Sequence, residues 1–300
     1  MLITTLSVEL PYVNTVSVFF LAETGKLEYY SSMSITQSVL LGMIQGITEF
    51  LPVSSSGHLV VFRDILDVEG IPLLYDVLLH IATLMAIIFV FRRRIGLLLK
   101  SLFLFLSGRI PEEDRHLHLP NLRMIVMILI AVGVTAVIGL VVSEIQPRIP
   151  VKGVYVLFLV TAGILILGKY AERSVPYGQL TPKKSILIGA AQGFAALPGI
   201  SRSGTTITVG MLCGLSRKDA AEVSFLVFIP AVIGALLLEV FKSQQLAAQV
   251  SPEALIAGSI SSLVFSFLAL KLLLIIIRGG RLYLFSIYLI PLGIYGLLFR

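Results

Sequence analysis

The chain has 300 residues, of which 57% are hydrophobic and 13% are charged, and its formal net charge is +6. A soluble domain carries about 25% charged residues, so this composition excludes an ordinary soluble protein and predicts an integral membrane protein. Basic residues such as Arg92, Arg93 and Arg94 lie beside apolar runs, which is typical of cytoplasmic loops and not of a nucleic-acid-binding surface. The single cysteine, Cys213, excludes an internal disulfide and a thiolate metal cluster.

Residues 1–32 form an N-terminal extension to which we assign no function. They lack the basic start and the small-residue cleavage site of a secretory signal, and acidic residues such as Glu9 and Glu23 interrupt their apolar pattern. A more coherent stretch begins at Met33, so translation from Met1 and from Met33 are both open. We expect a single membrane domain over residues 33–300.

Several later apolar runs are long enough to cross a hydrocarbon core of about 30 Å as helices. They lie at 73–91, 122–142, 152–168, 221–241, 254–277 and 282–299. The apolar run 95–106 is shorter, and we expect an interfacial or partly buried helix there.

Loop charges predict which ends of these runs face the cytoplasm. The loop 92–121 and the residues before 185 carry an excess of Lys and Arg, so both are expected inside. The segment 185–214 then begins and ends inside, which predicts a re-entrant hairpin. By the same count residues 63–70 lie outside, and 36–62 forms a second hairpin that enters from the outside.

The two predicted hairpins share a sequence pattern. Residues 42–58 read GMIQGITEFLPVSSSGH and residues 189–205 read GAAQGFAALPGISRSGT, with a Gly-x-x-Gln-Gly run before a Pro-containing, Ser-rich turn. An acidic residue, Asp76 or Glu222, recurs at the start of the span that follows each hairpin.

This repetition predicts the fold class. We expect an all-α integral membrane protein built as an inverted-topology repeat, with repeat one at about 36–169 and repeat two at about 185–299. Each half comprises a re-entrant helix hairpin and three transmembrane helices. Non-helical backbone at membrane depth is tolerated only where it lines a cavity or is buried in protein, so the two turns are expected to face each other across one polar site.

The second turn predicts an anion site. Arg202 lies between Ser201 and Ser203, and arginine at membrane depth costs about 2.5–3.5 kcal/mol on insertion scales, so it is retained mostly for function. A guanidinium beside hydroxyls and a helix N-terminus suits a phosphate group. The alternative is an arginine that pairs with a carboxylate and holds the two halves together.

The first turn supplies groups for acid–base chemistry. Gln45 and Glu49 are one helical turn apart and share a face, and Ser55 and His58 follow closely. Such a set can support metal binding, base catalysis or a serine nucleophile, although a Ser-rich turn is often only a helix cap. Together the two turns favour a phosphorylated lipid as the substrate class.

QGITEFLPVSSSGH and LPGISRSGTT closely resemble the two signature motifs of the undecaprenyl-diphosphate phosphatase family, the bacitracin-resistance membrane phosphatases. The similarity runs from about Met33 to the C-terminus and includes YDVLLHIATLMAI and AEVSFLVFIPAVIGA. The resemblance implies hydrolysis of undecaprenyl diphosphate to undecaprenyl phosphate and phosphate, which recycles the lipid carrier of cell-wall synthesis. It also implies a divalent cation, magnesium or calcium, and a multi-pass protein of the cell (inner) membrane whose site faces outside.

The same resemblance implies roles for individual residues. Glu49 would act in catalysis or metal binding, Ser55 as the nucleophile, His58 as an acid/base partner and Arg202 as the diphosphate clamp. The expected substrate-binding residues are Ser54, Ser56, Gly199, Ser201, Ser203 and Thr206. Gln45 is a weaker metal candidate because an amide carries no negative charge, so Asp76 or another carboxylate would have to supply it.

Some alternatives stay open at this point. A transporter or flippase for a phosphorylated lipid would also use facing hairpins, but it would not require the reactive set Glu49, Ser55 and His58. A purely structural membrane subunit explains neither Arg202 nor the repeat. We expect a polyprenyl diphosphate lipid as partner and no nucleic acid; the length of the polyprenyl chain, a serine or a water nucleophile, and assembly as a homodimer are all open.

Overall fold

The structure is a computed structural model of the chain. It describes residues 5–10, 13–20, 27–31, 33–65, 73–171, 179–242 and 250–300. The N-terminal half of the described helical part contains α1 (Ile35–Phe50), α2 (Ser55–Ile65), α3 (Leu73–Leu106), α4 (Arg115–Ile145) and α5 (Val151–Gly168). The C-terminal half contains α6 (Pro182–Phe194), α7 (Arg202–Leu212), α8 (Arg217–Lys242), α9 (Pro252–Arg278) and α10 (Ser286–Phe299). Each half therefore has a pair of helices joined by a turn, followed by three further helices.

The long helices have the length and composition of membrane spans. Among the described residues, 6 segments qualify, and they correspond to α3, α4, α5, α8, α9 and α10 with the short 3-10 helix Leu282–Phe285 before it. The prediction of a helical multi-pass membrane protein is confirmed. The spans overlap the predicted apolar runs, and they are helical because backbone groups in hydrocarbon have to be paired within a helix.

Residues 95–106 form a partly buried helix, as expected, but this helix does not begin there. These residues are helical, but they continue α3, which runs for 34 residues from Leu73 to Leu106. Arg92, Arg93 and Arg94 between the two apolar runs are good helix formers, so they mark a change of environment and not an end of the helix. Leu98 beyond them is buried, with 6% of its surface exposed.

Three strands precede the helical part. β1 (Thr5–Leu10), β2 (Val13–Phe20) and β3 (Leu27–Ser31) form an antiparallel sheet in the order β1-β2-β3. Ser17 of β2 is opposite Ser7 of β1 and Tyr30 of β3. No strand was predicted here, although β-branched residues recur in β1 and β2.

The two hairpins are held by the opposite halves of the chain. α1 packs on α9, where a Cβ on Gly42 would collide with the carbonyl oxygen of Gly258. α6 packs on α4, where a Cβ on Gly189 would collide with the carbonyl oxygen of Ala131. Small residues four apart let helix backbones approach closely in membranes, which explains the glycines of both Gly-x-x-Gln-Gly runs. This reciprocal packing is consistent with the inverted repeat, which stays a prediction.

Substituting Gly42 by alanine tests this close packing. We expect Gly42→Ala to lower the free energy of unfolding by about 1–3 kcal/mol, because the added methyl group overpacks the contact with α9. Thermal unfolding in detergent micelles, followed by circular dichroism, measures the change. Gly133→Ala on α4 is the control, since a Cβ there has nothing within 4 Å. Equal unfolding temperatures for the two variants would contradict the packing argument.

Candidate active site

The first turn joins α1 to α2 through a short non-helical stretch. α1 ends at Phe50, and Pro52 after it has no backbone N–H to continue the helix. Ser54 has a positive φ of 73°, which few residues other than glycine adopt. This backbone turn redirects the chain so that α2 begins at Ser55.

The second turn joins α6 to α7 and is anchored by α5. Gly199 has a φ of 102°, a conformation that a side chain would strain. The hydroxyl of Thr161 on α5 donates to the Gly199 carbonyl (2.8 Å) and accepts from the Ser201 N–H (3.0 Å). Ser201 caps α7 by accepting from the N–H of Gly204 at 3.1 Å.

The two turns are in direct contact, as the sequence predicted. Ser54 Oγ accepts a hydrogen bond from the Gly199 N–H at 3.0 Å. In the other direction, Ser203 Oγ donates to the carbonyl of Phe50 at 2.8 Å. These bonds satisfy the N–H of Gly199, which lies outside any helix, and the carbonyl at the C-terminal end of α1, and both residues are buried from water.

A buried carboxylate lies at the centre of this contact. Glu49 forms an ion pair with Arg202 through Oε1, and its side chain has no exposed surface while that of Arg202 is 24% exposed. Its Oε2 accepts from Gln45 Nε2 at 3.0 Å and from the Ser55 hydroxyl at 2.6 Å. Three donors on one carboxylate stabilise its ionised form. The site therefore joins a guanidinium and a serine hydroxyl through one buried carboxylate.

The other face of Arg202 is covered by an aromatic ring. Its guanidinium carbon lies 3.5 Å from the ring centroid of Phe228 on α8, in a cation–π contact. Arg202 and Phe228 line a small cleft together with Glu49, Phe50, Ser203, Ser224 and Phe225.

His58 lies apart from the carboxylate. Its Nδ1 is 2.7 Å from the carbonyl oxygen of Ser54, which only accepts, so Nδ1 carries a proton. Its Nε2 is 2.8 Å from the hydroxyl of Tyr288 on α10, and its ring contacts Phe158. The structure thus brings Glu49, Ser55 and Arg202 together but does not hydrogen-bond His58 to any of them.

The remaining predicted residues support the turns. Ser201, Ser54 and Gly199 make the backbone contacts given above, and Thr206 Oγ1 donates to the Arg202 carbonyl at 2.7 Å. Ser56 is half-buried, with its hydroxyl 3.4 Å from that of Ser54. Their predicted substrate contacts stay predictions.

Asp76 does not join Glu49 at the site. It pairs with Arg63 near the C-terminal end of α2. Arg94 forms a corresponding pair with Glu222 at 2.6 Å between α3 and α8. The negative charge at the site therefore comes from Glu49.

Sequence reasoning missed other residues around the site. His80 on α3 has its Nδ1 3.2 Å from Gln45 Nε2, and Tyr288, Ser224 and Phe228 make the contacts described above. A histidine inside the apolar span 73–91 is a polar exception that could have marked His80. The other three fit an ordinary apolar or small-residue helix face, so no feature of the sequence distinguishes them.

Ser54→Ala tests whether this serine fastens the two turns. The substitution leaves the buried N–H groups of Gly199 and Gly57 without their acceptor, which should lower the free energy of unfolding by about 1–3 kcal/mol. Thermal unfolding in detergent micelles measures it. Ser56→Ala is the matched control and should change stability by less than about 0.5 kcal/mol. A Ser54→Ala protein as stable as Ser56→Ala would contradict this role.

Comparisons with known proteins agree on one family. Residues 38–295 match the family model described as "Bacitracin resistance protein BacA". A protein of Treponema denticola named undecaprenyl-diphosphatase is 40% identical over 262 residues, which are 87% of this chain and 96% of that protein. Proteins of the same name from Desulfosudis oleivorans and Methanosphaera stadtmanae are 38% and 39% identical, again over 87% of this chain and over 97% and 96% of their own lengths. The chain belongs to the bacitracin resistance protein BacA family.

Proposed function

We propose that the protein hydrolyses undecaprenyl diphosphate to undecaprenyl phosphate and inorganic phosphate. This reaction recycles the lipid carrier of cell-wall synthesis and confers resistance to bacitracin. The observation that carries the proposal is the junction of Glu49, Ser55 and Arg202 between two turns of a membrane protein. The substrate is inferred from the name undecaprenyl-diphosphatase, which its relatives share.

Arg202 is the diphosphate clamp in this proposal. A guanidinium binds phosphate oxygens through two parallel N–H groups, and the N-terminal end of α7, where Arg202 is the first residue, adds partial positive charge. Arg202 holds Glu49 through Nη2, and in this proposal the diphosphate takes over that nitrogen and so replaces Glu49 on the guanidinium. Ser201, Ser203 and Thr206 hold the helix end in place.

Ser55 is the proposed nucleophile and Glu49 its base. The Ser55 hydroxyl already donates to Glu49 Oε2, so its proton passes to Glu49 while Oγ bonds to the terminal phosphorus. The bond between that phosphorus and the bridging oxygen breaks, and undecaprenyl phosphate leaves with the electron pair. Water then hydrolyses the phosphoserine. His58 acts as an acid or base only after it leaves Ser54 or Tyr288.

A magnesium or calcium ion fits the oxygen donors near Glu49. Among the described residues, no group of three or more His, Cys, Asp or Glu side chains could hold a metal ion alone. Gln45 Oε1, however, is buried without a hydrogen-bond partner in the described part of the chain, on the residue whose Nε2 donates to Glu49. Magnesium is commonly held by one or two protein oxygens with water and substrate phosphates. Glu49 and Gln45 would hold the ion, which when bound neutralises phosphate charge.

We place the protein in the cell (inner) membrane with the site open to the outside. Loop charges support this orientation, because the basic cluster 92–94 marks the inner end of the first span. Asp64 at the end of α2 pairs with Arg300 at the C-terminus at 3.2 Å, which places both at the same face. The membrane domain 33–300 and assembly as a homodimer stay predictions.

Phosphate release from undecaprenyl diphosphate tests the activity. We expect purified protein in detergent to release phosphate with magnesium or calcium but not with a chelator. Arg202→Ala should lower kcat/KM about 100-fold or more, because the charge on the transferring group loses its clamp. Arg63→Ala, which breaks an ion pair away from the site, is the control. No release by folded wild-type protein across several polyprenyl diphosphates and cations would favour a transporter instead.

Rapid acid quench tests the nucleophile. With substrate labelled in its terminal phosphate, we expect label on the protein at Ser55 during turnover. Ser55→Ala should lose the label and slow turnover about 100-fold or more, while Ser259→Ala on α9 should keep both. Unlabelled wild-type protein together with an active Ser55→Ala variant would show that water attacks directly.

A further inference from the structure

Gln45 connects Glu49 to a histidine on another helix. Gln45 is fully buried on α1, with 0% of its surface exposed. Its Nε2 lies 3.0 Å from Glu49 Oε2 and 3.2 Å from His80 Nδ1 on α3. An amide nitrogen has two hydrogens and can donate to both groups at once.

The Glu49 carboxylate determines the orientation of the Gln45 side-chain amide. Reversing the amide of Gln45 would place its oxygen against Glu49 Oε2, and two acceptors cannot hydrogen-bond to each other. Glu49 is ion-paired with Arg202, so it is ionised and requires a donor. Nε2 therefore faces Glu49, and Oε1 is left without a partner among the described residues.

This orientation also assigns the protons of His80. Because Gln45 Nε2 donates, His80 Nδ1 has to accept, and the neutral ring carries its proton on Nε2. The backbone around His80 is fixed, since its carbonyl accepts from the Thr83 hydroxyl at 2.8 Å. His80 thus offers a fixed acceptor that holds the second N–H of Gln45.

We propose that His80 is a positioning residue for the hydrolysis and acts through Gln45. Its Nδ1 fixes the amide so that Nε2 keeps Glu49 Oε2 against the Ser55 hydroxyl. Arg202 binds the other oxygen, Oε1, so His80 affects the proton transfer and not the clamp. The inference rests on the proposed function, and it predicts a loss in kcat with KM little changed.

Two substitutions of similar size distinguish the hydrogen bond that His80 accepts from the packing of its side chain. His80→Leu removes the acceptor, and kcat for phosphate release should fall about tenfold, the effect of losing one hydrogen bond. His80→Asn provides an oxygen near the position of Nδ1, and its kcat should stay within about threefold of wild type, on the scale of a small relaxed contact. If His80→Leu does not fold, as judged by thermal unfolding, His80→Met gives the same comparison.

A double-mutant cycle tests whether the effect passes through Gln45. In a Gln45→Leu background, His80→Leu should lower kcat by less than about twofold further, because the connection is already lost. Gln192→Leu is the matched control: this buried glutamine of α6 has its Nε2 3.4 Å from Thr135 Oγ1 and 3.5 Å from the Val227 carbonyl. That variant should keep the wild-type kcat.

Each other outcome overturns the proposal. Equal losses in His80→Leu and His80→Asn would mean that the histidine only packs. Additive effects in the cycle would mean that His80 does not act through Gln45, and wild-type kcat in His80→Leu would remove its role. Wild-type protein that releases no phosphate would overturn the proposed function itself, which distinguishes that failure from a failure of this inference.

Discussion

The ion pair between Glu49 and Arg202 is the constraint on which the rest of the structure depends. A charged side chain inside a membrane domain is costly unless it is paired, and removing one partner of a buried pair costs about 3–5 kcal/mol. The two residues lie 153 positions apart, one at the end of α1 and the other at the start of α7. Their pairing therefore requires the ends of both hairpins to lie at the same depth in the membrane domain. The bonds of Ser54 to Gly199 and of Ser203 to Phe50 then pair the backbone groups that the turns expose.

Close helix packing allows the two hairpins to approach each other. α1 reaches the centre of the domain because Gly42 and Gly46 let it lie against α9, and α6 does so against α4 through Gly189 and Gly193. Leucine at these positions would push each hairpin outward by the size of a side chain. The glycines and the ion pair are thus parts of one arrangement, in which the glycines allow the approach and the charges fix its end point.

The helical fold and the centre of the site could be predicted from the sequence, whereas their surroundings could not. The apolar runs and the loop charges predict the spans and both hairpins. A carboxylate partner for Arg202 was only the alternative to a phosphate, and the sequence did not identify Glu49, 153 residues away, as that partner. The pairing of His58 with Tyr288, 230 residues away, depends on how α2 packs beside α10, which no periodicity encodes. The continuation of α3 past Arg94 was missed for a different reason: hydropathy reports the environment of a helix and not its end.

The same ion pair explains how a site of this kind can be both stable and reactive in the proposed reaction. While Arg202 holds Glu49 Oε1, the carboxylate is a weak base because the guanidinium favours its ionised form. A diphosphate that takes over the guanidinium removes this contribution, while the hydrogen bonds from Gln45 and Ser55 remain. Glu49 then accepts the Ser55 proton more readily, at the moment when the phosphorus lies beside Oγ. Binding of the substrate therefore creates the base that the reaction needs, and Gln45 keeps that base in place during the exchange.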